Sequence, residues 1–364
     1  MKVCTITCHN AVNYGARLQA CALLRYLHNQ GLDAEVIDYR PDYMRFGEKV
    51  WYIPSLSLKE WAKLFLRFRY RADAVDRHTA FEEFTRKYIP HTERIYKSVG
   101  ELRLSPPKAD VYIAGSDQIW NTEFRNGTDA AYYLDFGDLQ TRRISYAASF
   151  AVPMLKSESE PFVKSHLSAF DAISVREASG MKILSSLGYG GEVVSDPVFL
   201  LSADEWDNLL GCKGSEKSYV LVYDMMGCDT IKHIAKRIAG RYGCEIYSIG
   251  SRRLGYADRN LTKAAPDMFV ELVRNARCVV SNSFHGTAFA MIYHRDFFVV
   301  ERSDGLNERM KDILARCGLQ SRLVGMDVSD GQLSALVSYE MVDKVLQREI
   351  AASKTFLREA LTIE

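Results

Sequence analysis

The amino-acid sequence predicts an α/β protein made of two Rossmann-like domains, each built on a parallel sheet. Short apolar runs of strand length alternate with amphipathic stretches of helical period along most of the chain. The alternation is interrupted near residues 200–217 and then starts again. With 364 residues the chain is also longer than one hydrophobic core usually supports, so two domains are expected.

The composition is typical of a soluble globular enzyme, with 47% hydrophobic and 26% charged residues. The chain carries 47 basic and 46 acidic residues, a formal net charge of +1, whereas nucleic-acid-binding domains are usually strongly basic. No apolar run reaches the roughly 18 residues that a membrane-spanning helix needs, and the N-terminus lacks the pattern of a signal peptide. We therefore expect a cytoplasmic protein without a nucleic-acid partner.

The eight cysteines are scattered singly, and no CxxC pair occurs. Cys4, Cys8 and His9 are the one group that could suggest zinc, but the group lacks a fourth ligand at a usual spacing. Several other cysteines lie in apolar runs, where a thiol behaves as a small hydrophobic group. The sequence thus predicts reduced core thiols and no bound metal.

The N-terminal half begins with a βαβ unit. VCTIT predicts a strand, ARLQACALLRYLHNQG a helix ending at Gly31, and DAEVIDY a second strand, so the sheet should be parallel. Strands followed by polar loops or helices are predicted again within ADVYIAGSDQIWN, RISYAASF and AFDAISVREASGMKILSSLG. We assign residues 1–200 to this domain.

Residues 44–98 interrupt this half as an insertion. They contain WAKLFLRFRYRADAVDRHTAFEEFTRKYIP, a stretch of helical period that is rich in aromatic residues and arginine. One interpretation is a platform for a sugar chain or for an anionic membrane surface, because aromatic rings beside arginine suit both. The other is a pair of helices packed on the domain, which one-sided apolar periodicity favours.

The C-terminal half repeats the alternation. Strands are predicted at SYVLVYDM, EIYSIG, CVVS and DFFVV, and helices between them at TIKHIAKRIAGRYG, PDMFVELVRNAR and GTAFAMIY. We assign residues 201–338 to this second domain. Residues 339–364 belong to a long amphipathic helix that could pack back across the junction of the two domains.

Five loops that follow predicted strands carry polar side chains, and they contain CHNAVNYGA, GSDQIWN, SVRE, GSRRLGY and SNSFHG. In open α/β sheets, ligands bind outside the carboxyl ends of the strands. In the last loop His285 directly precedes Gly286, which is predicted to open a helix whose N-terminus favours an anion. A bound anion would favour the charged imidazole, so His285 is a candidate general acid. Alternatively, His285 only caps the helix and hydrogen-bonds a neighbouring strand.

Six segments, taken together and in order, resemble the polysaccharide pyruvyl transferase family: NYGARLQACALLRYL, GSDQIWN, SYAASF, SVREASG, SDPVFLL and SNSFHGTAFAMI. The family is similar to GT-B glycosyltransferases, in which two Rossmann-like domains face a cleft. The resemblance implies transfer of the enolpyruvyl unit of phosphoenolpyruvate to sugar hydroxyls of a cell-surface or exopolysaccharide precursor. The expected products are a pyruvate ketal and phosphate, and no metal or organic cofactor is implied.

The resemblance also implies the donor-binding residues. It places the family's key histidine at His285 and a donor-binding arginine at Arg176. One branch of the family has an arginine two positions before the histidine, where this chain has Ser283, so either another arginine replaces that charge or the donor differs. The expected donor-binding residues are Arg176, Asn282, Ser283, Gly286, Arg252, Arg253 and Arg309.

The acceptor, a glycan or a lipid-linked oligosaccharide, is expected on the N-terminal domain. Hydroxyl, amide and carboxylate groups suited to a sugar occur at Asn13, Tyr14, Ser116, Asp117 and Asn121. Asp117 could also be the base for the attacking hydroxyl. Alternatively, Ser116 and Asp117 only cap a helix, and Tyr14, like Trp120, wedges between helix and sheet. A lipid-linked acceptor would bring the protein to the inner face of the membrane.

Two other function classes compete with this interpretation. A GT-B glycosyltransferase that uses a nucleotide sugar would share the fold. A carbohydrate-binding or regulatory protein that has lost turnover is the third class, and Ser283 in place of arginine is the feature that favours it.

Overall fold

The computed structural model describes residues 1–44, 58–215, 218–302 and 307–362. The first half contains a four-stranded parallel sheet with strand order β2-β1-β3-β4. Its strands are β1 (Lys2–Ile6), β2 (Asp33–Val36), β3 (Val111–Ala114) and β4 (Arg142–Ser145). Two short parallel strands, β5 (Ser174–Val175) and β6 (Glu192–Val193), follow beyond β4. The helices of this half are α1 (Tyr14–Asn29), α2 (Leu58–Tyr88), α3 (Val99–Leu104), α4 (Glu160–Leu167), α5 (Ala178–Leu187) and α6 (Ala203–Leu210).

The second half contains a five-stranded parallel sheet with strand order β11-β10-β7-β8-β9. Its strands are β7 (Tyr219–Tyr223), β8 (Glu245–Ile249), β9 (Arg259–Leu261), β10 (Cys278–Ser281) and β11 (Asp296–Val299). The helices are α7 (Asp229–Tyr242), α8 (Pro266–Asn275), α9 (Phe284–Ile292), α10 (Glu308–Arg316), α11 (Asp330–Ser334) and α12 (Tyr339–Ala360). The predicted α/β class with two parallel sheets is confirmed.

Burial explains why these segments are continuous apolar runs rather than alternating ones. Strands β3, β7 and β10 are buried along their whole length, as expected for parallel strands that are covered by helices on both faces. Helix α9 is buried on nearly every side because it lies against β10, α8 and α1. One hydrophobic cluster includes Leu18 of α1 and Phe289 of α9, so the two halves share a core.

The helix at the end of the chain, α12, contacts both halves. Its first turns meet the second half, where Asp343 accepts a hydrogen bond from His294 at 3.0 Å. Further along, the hydroxyl of Ser353 accepts a bond from the backbone amide of Ser195 at 2.8 Å. The helix therefore ties the end of the chain to both sheets, while the predicted domain bounds at residues 200 and 338 stay predictions.

The insertion contains one continuous helix, α2, so the expected pair of helices is wrong for the described residues. Residues 45–57 of the predicted insertion lie outside the described residues. The ring of Phe81 lies 5.1 Å from the ring of Tyr14 between centroids. Asp73 accepts hydrogen bonds from Arg253 at 2.6 Å and from Thr262 at 3.0 Å, both in the second half. Helix α2 thus packs between the halves. In the described parts of the chain, no helix has the length and hydropathy to cross a membrane.

Candidate functional site

Charged and polar side chains of both halves meet beyond the carboxyl ends of the parallel strands. Ser116 and Asp117 follow β3, and Arg176 follows β5 directly. Asp196 comes shortly after β6, and His285 lies in the first turn of α9, after β10. Within each sheet the strands are parallel, so the loops that follow them lie at the same edge of that sheet.

Asp196 joins residues of the two halves. Its buried carboxylate accepts a hydrogen bond from Nη1 of Arg176 and a longer one, 3.5 Å, from the hydroxyl of Ser116. Nε2 of His285 lies 3.5 Å from the same carboxylate oxygen. Burial by itself would raise the pKa of the Asp196 carboxyl, but the charge of Arg176, together with the neighbouring His285, holds this pKa well below its ordinary value. Asp196 is therefore a permanent negative charge between the arginine and the histidine.

A second carboxylate, that of Asp117, lies between two arginines. Its Oδ1 is 3.6 Å from Nη2 of Arg176 and 3.5 Å from Nη1 of Arg309 on α10. The guanidinium carbons of the two arginines lie 5.0 and 5.8 Å from the ring centroid of Phe284, within reach of cation–π attraction. Burial, together with the like charge of Arg176, lowers the pKa of Arg309 to about 10, which leaves it charged at neutral pH.

His285 is held tightly between the halves. Its side chain contacts Gly15 of α1 so closely that a Cβ added there would lie 1.8 Å from Nδ1 of the ring. The residue is only 6% exposed. Among the described residues, Nε2 of His285 has no hydrogen-bond partner, and neither do Nε and Nη2 of Arg176. Buried N–H groups that make no hydrogen bond are unfavourable, and a bound anion would accept hydrogen bonds from them.

The carboxylate of Glu177 supports the neighbouring loop. Its Oε1 accepts hydrogen bonds from the hydroxyl of Ser149 and from the backbone amide of Ala151, both at 3.0 Å. Ala151 has a φ of 55°, a left-handed conformation that an alanine rarely adopts. The buried carboxylate thus holds an irregular segment in place beside Arg176.

Of the three arginines proposed to complete the donor site, only Arg309 lies in the cluster. Arg252 donates to a backbone carbonyl, that of residue 226, at 2.8 Å. Arg253 pairs with Asp73 of α2 at 2.6 Å. The two arginines of the GSRRLGY loop are therefore engaged elsewhere, Arg253 with the inserted helix and Arg252 with the loop after β7.

The residues around the start of α9 stabilise the loop itself. The helix begins at Phe284 rather than at Gly286, and Ser283 is its N-cap residue. The amide of Gly286, expected to bind an anion, donates instead to the hydroxyl of Ser283 at 3.5 Å. The side-chain amide of Asn282 donates to Asp224 at 3.0 Å. These three residues shape the backbone that positions His285.

Tyr14 does not face a cleft. Its ring stacks on Phe269 of α8 with centroids 4.8 Å apart, and its hydroxyl donates to the carbonyl of Ala264 at 3.0 Å. Trp120 is also fully buried and stacks on Tyr133. Both aromatic residues are therefore packing residues, and Tyr14 joins α1 to the second half.

The remaining acceptor candidates divide into two groups. Asn13 caps α1 by accepting from the amide of residue 16 at 3.2 Å, and the side chain of Asn121 bonds Gln118 at 2.8 Å. Ser116 and Asp117 lie in the charged cluster, and no helix begins beside them, so the capping alternative is wrong for this pair.

Sequence reasoning did not single out Asp196, Glu177, Gly15 or Phe284 as parts of the site. Asp196 and Glu177 lie within the SDPVFLL and SVREASG segments, each shortly after an apolar run. An acidic residue shortly after a predicted strand was the pattern that could have indicated a site residue at these two positions. Gly15 and Phe284 carry no polar group, and only their contacts reveal their place.

The two sheets and the site between them define a protein of the GT-B fold class. Solved structures that share the fold include UDP-GlcNAc 2-epimerase from Neisseria meningitidis bound to UDP-GlcNAc, with 10% identity, full coverage of both chains and a TM-score of 0.51. UGT89C1 from Arabidopsis thaliana gives 10% identity, 98% coverage of each chain and a TM-score of 0.51. At such low identity the likeness shows the fold alone.

A match to a protein-family model shows which family within this fold class the chain belongs to. The model of the polysaccharide pyruvyl transferase family matches residues 13–304, and the chain belongs to that family. The match covers the loops that contain Asp117, Arg176, Asp196 and His285, while Arg309 lies just beyond it. A comparison with curated proteins found no significant match. The resemblance drawn from the six sequence segments is confirmed.

Proposed function

We propose that the protein transfers the pyruvyl unit of phosphoenolpyruvate to two hydroxyls of a sugar in a polysaccharide precursor and releases phosphate. The observation that carries this proposal is the buried cluster of two guanidinium groups beside an imidazole. Among the described residues, Nη2 of Arg176 and Nε2 of His285 make no hydrogen bond, although carboxylates lie 3.6 and 3.5 Å from them, and Arg309 adds a second guanidinium. A small donor with a phosphate and a carboxylate suits such a cluster, because planar guanidinium groups bind both anions.

Each cation has a separate part in donor binding. Arg176 would bind the donor through Nε and Nη2, which make no hydrogen bond among the described residues, in place of the 3.6 Å contact of Nη2 with Asp117, while Nη1 stays with Asp196. Arg309 would supply the positive charge that one branch of the family carries two positions before the histidine. The Phe284 ring beneath both guanidinium groups keeps them side by side.

His285 is the proposed general acid. It gives its proton to the methylene carbon C3 of phosphoenolpyruvate, and C2 gains cationic character. The first sugar hydroxyl adds to C2 and loses its proton to Asp117. The second hydroxyl then displaces phosphate from C2 to close the ketal, and its proton leaves with the phosphate as hydrogen phosphate. The proton held by Asp117 returns through solvent to His285, which balances the cycle.

The acceptor is proposed to approach from the side of Asp117, which is the more exposed carboxylate of the site. We propose a glycan or a lipid-linked oligosaccharide as this acceptor. With a lipid-linked acceptor the protein would work at the inner face of the membrane. The eight cysteines are free, which suits a reducing cytoplasm.

The role of His285 as general acid can be tested by substitution. Replacing His285 with glutamine should lower phosphate release by about a hundred to ten thousand fold, the usual contribution of a positioned proton donor. The measurement is phosphate release from phosphoenolpyruvate over a panel of sugar acceptors. His233→Gln, a change of an exposed histidine on α7, is the control and should keep full activity. Near-normal turnover of His285→Gln would remove this residue from the chemistry.

A nucleotide-sugar transferase remains the second candidate, because the Neisseria epimerase with the same fold was solved with UDP-GlcNAc bound. Calorimetric titration with UDP and with phosphoenolpyruvate separates the two. Binding of UDP without any response to phosphoenolpyruvate would favour the sugar transferase. Binding of phosphoenolpyruvate without phosphate release from any acceptor would favour the binding protein.

A further inference from the structure

The carboxylate of Asp117 lies between the guanidinium groups of Arg176 and Arg309, where a donor anion would bind. Its Oδ1 faces Nη2 of Arg176 at 3.6 Å and Nη1 of Arg309 at 3.5 Å. Within residues 1–44, 58–215, 218–302 and 307–362, no other carboxylate lies within ion-pair distance of Arg309. An anion that bridges the two arginines through these nitrogens would meet the Asp117 carboxylate at the same place.

The second carboxylate of the site, Asp196, is not in the same position. It binds Arg176 through Nη1, which points to a different side of the guanidinium group, and it also contacts Ser116 and His285. Its side chain is fully buried, whereas that of Asp117 is 19% exposed. Of the two carboxylates, Asp117 is therefore the one that an incoming anion can displace.

The backbone at Asp117 supports a special role. Its φ of 75° lies in the left-handed region, which residues other than glycine rarely adopt. The carbonyl of Asp117 accepts a hydrogen bond from the amide of Ser149 at 3.0 Å, which holds this conformation. The left-handed backbone of Asp117 thus places its carboxylate beside the buried guanidinium groups of Arg176 and Arg309.

We propose that Asp117 is an internal competitor of the donor, and that displacement of its carboxylate from Arg176 and Arg309 by the donor's anion releases it to act as the base. While its Oδ1 faces two guanidinium groups, the Asp117 carboxylate is directed at the arginines and not at an acceptor hydroxyl. Once the donor's phosphate or carboxylate lies beside the two arginines instead, the Asp117 carboxylate is free to accept the proton of the hydroxyl. The acceptor is then activated only after the donor is bound. This inference rests on the proposed function, which it deepens by setting the order of events.

Calorimetric titration with inorganic phosphate and with phosphoenolpyruvate tests the competition. Asp117→Asn and Asp117→Gly should both bind phosphate about tenfold more tightly than the wild type, because the anion no longer displaces a charged partner. Glycine is chosen because it suits a φ of 75°, so this variant removes the carboxylate and relieves the backbone. Both variants should lose at least a hundredfold in phosphoenolpyruvate-dependent turnover, since the base is gone.

The matched control is Asp138→Asn. Asp138 is an exposed aspartate of the same half, outside the site, and its removal changes the net charge by the same amount. This variant should bind phosphate and turn over like the wild type. Tighter phosphate binding in Asp138→Asn as well would assign the effect to net charge and contradict the inference.

Two other results would overturn it. One is phosphate affinity that is unchanged or weaker in both Asp117 variants while their melting temperatures match the wild type. The other is no phosphate binding by any of the proteins. If one variant is unstable, the other decides. A wild type that binds phosphate but neither binds nor consumes phosphoenolpyruvate would contradict the proposed function instead, while the phosphate titrations still decide whether Asp117 competes.

Discussion

At the residue scale, Asp196 is the centre of the charge network. It lies between Arg176 and His285, and the Arg176 guanidinium, together with His285, holds the pKa of its carboxyl well below its ordinary value of 3.8 despite complete burial. A buried carboxylate paired in this way is a strong structural constraint, because removing it leaves the buried Arg176 without its closest counter-charge. Asp196 thus fixes where the arginine and the histidine lie relative to each other.

Replacing Asp196 with asparagine should destabilise the protein by about 3 kcal/mol at neutral pH, the usual cost of breaking a buried ion pair. Because the pKa of Asp196 is lower in the folded state, the stabilisation is fully present above about pH 4 and is lost as the pH falls below that value. Urea unfolding of both proteins between pH 7 and pH 3 measures this. The difference should shrink towards acid pH, and a constant difference would contradict the argument.

At the scale of elements, the contact between α1 and α9 sets the position of the imidazole. Gly15 is in the first turn of α1, and the ring of His285 fills the space where its Cβ would be. Asn13 caps the same helix end. The N-terminus of one helix therefore supports the histidine of another, and the support depends on a missing side chain.

Gly15→Ala should destabilise the protein by about 2 kcal/mol or more and reduce activity, because overpacking forces the ring or the helix to move. Helix propensity alone predicts the opposite sign, a gain of about 1 kcal/mol. Gly240→Ala in α7 is the matched control, since nothing lies within 4 Å of its added Cβ. That variant should gain stability in the same thermal unfolding experiment. Equal gains in both variants would show that Gly15 is not constrained by His285.

At the scale of the whole molecule, helix α2 and helix α12 each connect the two halves. Asp73 of α2 accepts from Arg253 and Thr262 of the second half, and Ser353 of α12 accepts from Ser195 of the first half. The charged cluster lies between the same two halves, which also share one hydrophobic cluster.

Asp73→Asn should weaken this connection by about 1 kcal/mol, a modest amount because Arg253 is partly exposed to solvent. Hydrogen exchange should become faster in residues 72–88 and 250–263, while distant β10 keeps its protection. Asp76→Asn is the control from the same helix, because its pair with Lys263 is about half exposed on both sides and should contribute little. Equal exchange in both variants would exclude Asp73 as the connecting residue.

Local patterns predicted most elements of the fold because apolar periodicity and turn residues act over a few positions. The same patterns predicted the loops that contain His285 and Arg176, because polar loops that follow parallel strands lie at the same edge of a sheet. The expected pair of helices is wrong for the described part of the insertion, because residues 58–88 contain neither proline nor glycine to interrupt one helix. Tyr14 is predicted to bind the acceptor because its hydroxyl suits a sugar and it lies in the loop after the first strand, but its ring packs on Phe269.

The sequence by itself determined the strands, the helices and the loops between them, because hydrophobic period is a property of neighbouring residues. It also carried enough ordered motifs to indicate the family. Only the tertiary structure decided which charges meet. Arg309 pairs with Asp117 from a position 192 residues away, whereas Arg253 pairs with the inserted helix. Such partners depend on how the two halves pack, and no local pattern in the chain encodes that distance.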